Sequence, residues 1–119
     1  MGRSDPREAV VAAEAGTRAW RQAVDIQRTA APDHTDFYAL AGELVDTPQS
    51  PQALIGVLSQ QVCAYDQDRV LRDDAGMAPQ VRLCAASSAL NNAWFSIIAA
   101  ERSANRFCSR IGHIGVEEL

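Results

Sequence analysis

The chain has no lysine: all eleven of its basic residues are arginine. Arginine-only usage together with abundant alanine is the amino-acid signature of a GC-rich, bacterial genome. Fifteen acidic residues leave a formal net charge of −4, which argues against a dedicated nucleic-acid binder. Aromatic residues make up only 6% of the chain, and β-branched runs are few, so little in the sequence favours strands. The three cysteines, Cys63, Cys84 and Cys108, are odd in number and far apart, with no Cys-x-x-Cys spacing. That excludes a paired disulfide framework and reads as small apolar packing residues in a reducing cytoplasm. No stretch approaches the roughly 18 continuous apolar residues of a membrane span, and no basic-then-apolar leader opens the sequence. The expectation is a cytoplasmic protein with no membrane partner.

The groupings that carry chemistry are also missing. There is no glycine-rich phosphate loop, no Gly-x-Ser-x-Gly elbow and no Glu-x-x-His pair of the di-iron kind. His34 and His113 fall in an expected loop and tail, and nothing in their spacing to Cys108 makes a zinc site. Asp66 and Asp68, followed by Asp73 and Asp74, lack the glycine and closing glutamate of a calcium loop. The sequence therefore supplies no catalytic residue, no metal site and no cofactor, and points away from an enzyme.

Helical signals are abundant. From 77 to 111 no proline follows Pro79 and no glycine intervenes before Gly112, enough for a helix about 50 Å long. Leu83, Leu90, Trp94, Ile97, Ile98, Ala104, Cys108 and Ile111 fall on one stripe of it. Pro79 suits the first turn, and Gly112 suits a left-handed stop. Upstream, an alanine-rich helix is expected from about Pro6 to Thr29, capped by Ser4 or Asp5 and ended ahead of Pro32. A further helix begins at Thr35 as cap. Phe37, Ala41, Leu44, Pro48, Pro51, Ile55, Leu58, Val62 and Tyr65 keep a four-and-three spacing across Thr47-Pro48-Gln49-Ser50-Pro51. A heptad seam that continues through a proline kink follows from that spacing. Asp73-Asp74-Ala75-Gly76 reads as a tight polar turn.

The expected fold is all-α. An antiparallel hairpin of about 36–72, kinked at 48–51, and 78–111 joins the N-terminal helix in a three-helix bundle or in part of a dimeric bundle. The 119 residues make one helical domain, with 1–4 and 116–119 frayed. Three sets of side chains stand out. Trp20, Trp94, Phe95 and Phe107 are interface candidates, because the apolar residues around Trp94 span more of the helix circumference than one facing helix covers. Glu101, with Asn105 and Tyr65, forms a buried polar candidate. Arg102, Arg106 and Arg110 form a basic strip. The functional expectation is a non-enzymatic module that associates with itself, as a homodimer, or with another protein. The alternatives are a small nucleic-acid-associated regulator using the Arg strip, and a ligand-binding bundle or enzyme with a pocket at Glu101.

Overall fold

The computed structural model describes residues 4–117. The expectation of fraying at 1–4 and 116–119 therefore falls largely outside the described residues. Among them the chain is all-α, as its composition requires: α1 (Pro6–Thr29), α2 (His34–Asp46), α3 (Gln49–Cys63) and α4 (Pro79–Ile111), with no strand. The helices fall into two compact units, Met1–Asp33 and His34–Leu119.

The first unit is α1. Its start is set by Asp5, whose carboxylate accepts the Arg7 N–H at 2.9 Å, and by Pro6, which has no N–H to satisfy. The Glu14–Arg18 pair, four residues apart, lies at 3.9 Å on an exposed face and contributes little. The helix ends at Thr29, where Ala30 turns extended ahead of Pro32.

The second unit is an antiparallel hairpin, with α2 and α3 both packed along α4. Its register is fixed at two points. Tyr38 of α2 lies against Gly112, and Cys63 of α3 lies against Ser87, Sγ to Oγ 3.3 Å. The half-buried positions of α4 include Leu83, Ser87, Leu90, Trp94, Ile97, Glu101, Ala104, Cys108 and Ile111, a four-and-three repeat. The other arm answers with Ala41, Val45, Pro48, Gln52, Ile55, Ser59 and Val62 on the same repeat. Both arms thus carry the four-and-three spacing that coiled coils use. Two layers of helix cannot surround a side chain, and among the described residues only Ala41 is fully withdrawn from solvent.

That seam differs from the expected one at every second position. Ala41, Pro48, Ile55 and Val62 face inward as foreseen. Val45, Gln52 and Ser59 take the places assigned to Leu44, Pro51 and Leu58. Phe37, Leu44, Leu58 and Tyr65 remain 37–48% exposed. Small residues at a contact let two helices approach closely, and the bulkier side chains turn to the flank.

The proline break is a short one: α2 ends at Asp46 and α3 resumes at Gln49, with Thr47 N donating to Glu43 O and Gln52 N to Pro48 O. No side chain caps α3. α2 likewise starts one residue before Thr35. The larger departure is at the far end. α3 stops at Cys63 rather than near Leu71, because Tyr65-Asp66-Gln67-Asp68 favours turns and Asp68 adopts a positive φ of 60°. The connection 64–78 still contains the foreseen turn, with Gly76 N bonded to Asp73 O and Gly76 at φ 78°.

Gly112 also serves a purpose other than the one expected. Its φ of −66° is right-handed, and the helix ends by tightening, with His113 N bonded to Arg110 O and Ile114 N to Ile111 O. Glycine is suited there because a Cβ would stand 3.1 Å from the Tyr38 ring.

Candidate functional site

The most unusual surface of the hairpin is defined by what it omits. No charged residue occurs from 47 to 65, nor from 83 to 100. The register of the hairpin sets these two stretches against each other, so α3 and the first half of α4 form an uncharged block. The charges of the hairpin gather elsewhere: on α2, on the connection, at Arg82 in the first turn of α4, and on α4 from Glu101 onward. A solvated helix face ordinarily carries charged side chains. Here the exposed positions include Leu54 at 46%, Val57 at 50% and Phe95 at 64%.

Both flanks of the block are open. On one, Ile55, Gly56, Ser59 and Gln60 of α3 and Asn91, Trp94 and Phe95 of α4 line a cavity of about 430 Å³. The Phe95 ring stands at its rim, edge-on to Trp94 at 5.2 Å between centroids and 85° between planes. The same flank continues into a second cavity of about 310 Å³, lined by Cys63, Asp66, Gln80, Leu83, Cys84, Ser87 and Ser88. On an ideal helix the opposite flank carries two rows at seven-residue intervals: Phe37, Leu44, Pro51 and Leu58 on one arm, and Ala86, Ala93, Ala100 and Phe107 on the other. All eight are exposed.

The interface candidates thus occupy distinct places. Trp94 is half-buried in the seam, Phe95 lies on the cavity flank, and Phe107, 44% exposed, lies on the opposite one. Trp20 is half-buried in α1.

The buried polar candidate does not assemble within one chain. Glu101 is a half-buried seam residue, Asn105 is exposed, and Tyr65 sits beyond the end of α3. The Tyr65 ring carries the Arg69 guanidinium 4.4 Å from its centre, and Arg69 Nη1 donates to Tyr65 O at 3.2 Å. Since Cys63 meets Ser87, Glu101 lies fourteen residues farther along α4, about 21 Å away. The early end of α3 separates them. Glu101 instead falls level with the break between α2 and α3.

Arg102, Arg106 and Arg110 are all exposed. Arg106 Nη2 donates to Ser103 Oγ at 3.0 Å, and none of the three makes an ion pair among the described residues. His34, Cys108 and His113 line one cavity of about 430 Å³ with Tyr38 and Ser109, a proximity that their separation in sequence conceals. Even so, no group of three or more His, Cys, Asp or Glu among the described residues is arranged to hold a metal ion. His34 Nδ1 is buried there without a hydrogen-bond partner.

No known protein family, curated protein or solved structure matches the chain.

α4 is long and apolar enough to cross a membrane, with a mean hydropathy of 1.2 over an eighteen-residue window. Its sequence is not a continuous apolar run, because Ser87, Ser88, Asn91, Asn92 and Ser96 interrupt it without adding charge. The uncharged block was legible in the sequence through the same signal, the absence of charge from two stretches that the hairpin aligns.

Proposed function

We propose that the protein is a non-enzymatic helical module of the cytoplasm that works by protein–protein association through the uncharged α3–α4 block. The observation that carries this reading is the pairing of exposure with neutrality: Leu54, Val57 and Phe95 are open to solvent on different sides of a block without one charged side chain. Apolar patches of this kind are characteristic of surfaces that a partner covers. Depletion of charge with an aromatic residue at the centre is the composition of an interface core.

A lipid partner fits less well. The block also exposes Gln60, Gln61, Asn91 and Asn92, whose amides would lack partners in hydrocarbon. With 15 residues, α3 reaches about 22 Å and falls short of a bilayer core of about 30 Å. A nucleic-acid partner would have to rely on the short strip of Arg102, Arg106 and Arg110, in a chain of net charge −4.

Sedimentation of the full chain tests the reading. The expected result is a mass above 12.9 kDa at high micromolar concentration. Phe95→Asp is expected to lower that mass while leaving helical circular dichroism intact. Identical sedimentation of Phe95→Asp and parent, or parent protein that floats with phosphatidylcholine vesicles, would overturn it.

A further inference from the structure

Gly56 lies in the middle of α3, where glycine is the least favourable residue short of proline. Nothing inside the hairpin requires it: a Cβ at Gly56 would meet no atom within 4 Å. The missing side chain opens the cavity whose rim is Phe95, and Phe95 is the most exposed aromatic ring of the described residues. A hole with nothing to fill it therefore stands beside a projecting ring with nothing to cover it. The register sets them level, since Cys63 against Ser87 brings Gly56 opposite Trp94 and Phe95.

We infer that a second copy of this chain occupies the cavity flank, with Phe95 of each copy seated over Gly56 of the other. This rests on the association reading above and names its partner. A hole and a knob side by side on one face make a self-complementary surface, which is what a two-fold contact needs. With the two-fold axis parallel to the hairpin, α3 of one copy lies over α4 of the other, antiparallel. Residues that are level within one chain then stay level across the interface. Each Phe95 meets a Gly56 in the resulting four-helix arrangement.

Area and charge favour this occupant. The uncharged block is about 25 Å long and two helices wide, on the order of 500 Å² in projection per copy. Followed over its side chains, that approaches the roughly 800 Å² per partner of a standard interface. A second copy brings the same neutral surface, so no charge is stripped of water when the faces meet. The rim supplies matched amides and hydroxyls, Gln60 and Ser59 from α3 and Asn91 from α4.

The test is an exchange of volume between the two positions, read as the dimer dissociation constant of the full chain by sedimentation equilibrium. Gly56→Phe sets ring against ring, and Phe95→Ala leaves a void. Each alone is expected to weaken the dimer at least about tenfold, as truncating or blocking an interface anchor does. The double variant Gly56→Phe/Phe95→Ala restores one large and one small residue at each contact. It is expected to return the dissociation constant to within about threefold of the parent, a coupling that independent sites do not show. Gly56→Ala guards against misfolding. A Cβ in open space raises helix stability, so its melting temperature is expected to rise while its dimer weakens.

A dimeric parent whose double variant is no tighter than the two single effects combined overturns the Phe95–Gly56 seating and leaves association standing. A parent that stays monomeric, with Phe95→Asp indistinguishable from it, overturns both.

Discussion

Ala41→Leu will destabilise the hairpin by about 1–3 kcal/mol, the usual consequence of overpacking a closed site. Ala41 is the one described residue with no exposure at all. It occupies the seam of α2 where that helix meets the C-terminal half of α4, in the repeat that continues through Val45 and Pro48. Three additional heavy atoms have no space beside it unless α2 lifts from α4. Lifting α2 would also withdraw Tyr38 from Gly112, where ring and glycine are already in close contact. Ala39→Leu, two residues away on an exposed face, is the control and should change stability within about 0.5 kcal/mol. Urea unfolding followed by circular dichroism reads both. If the two variants melt alike, α2 does not pack on α4 through Ala41.

That seam also shows how far a sequence of this kind can be read. The boundaries of α1 and α4 were legible because each has an unambiguous local stop: Pro6 and Pro32 around one, Pro79 and Gly112 around the other. The heptad of the α2–α3 arm was legible in period but not in phase. Reading inward positions by size selects Leu44 and Leu58. The packed hairpin selects Val45 and Ser59, since closeness of approach rather than side-chain volume decides which face meets α4. The end of α3 was misread for a related reason. Tyr65 and Leu71 extend the apolar spacing past Cys63, but Asp66 and Asp68 bond their own backbone more readily in turns, and the positive φ of Asp68 ends the run.

The candidate surface divides in the same way. Phe95 stands off the stripe by simple helical geometry, so its place outside the seam follows from the sequence alone, whereas its exposure does not. Gly56 does not, because its neighbour across the groove is known only once the register is known. Tyr65 and Glu101 illustrate the converse: two polar residues grouped by type are separated once α3 ends early. His34 and Cys108 lie far apart in the chain and share a cavity because the hairpin folds one end back on the other.

Asp73→Asn will lower stability at neutral pH, and the loss will vanish in acid. The Asp73 side chain is only 5% exposed and joins the connection to α4. Its Oδ1 accepts Arg82 Nε at 2.7 Å. Its Oδ2 accepts Arg82 Nη2 at 3.3 Å, Ala75 N at 2.9 Å and Met77 N at 3.0 Å. The Arg82 hydrogen bond, then the Met77 and Ala75 N–H groups, hold the carboxyl down from 3.8 to about 2, against the opposing effect of desolvation. A carboxyl whose folded pKa lies below its unfolded value contributes stability that is fully present above the unfolded value and disappears as pH falls through the folded one. The window is therefore about pH 4 to pH 2. An asparagine keeps the shape but not the charge, so it cannot match the paired acceptance from Arg82. The expected series of urea melts shows the variant less stable than the parent at pH 7, the gap narrowing below pH 4 and closing near pH 2. Asp74→Asn, at an exposed neighbour, should track the parent throughout. A gap for Asp73→Asn that stays constant from pH 7 to pH 2 would mean that the carboxylate is not what ties the connection to α4. The connection matters beyond its own stability. It sets where α4 begins relative to the end of α3, and so keeps Phe95 level with Gly56.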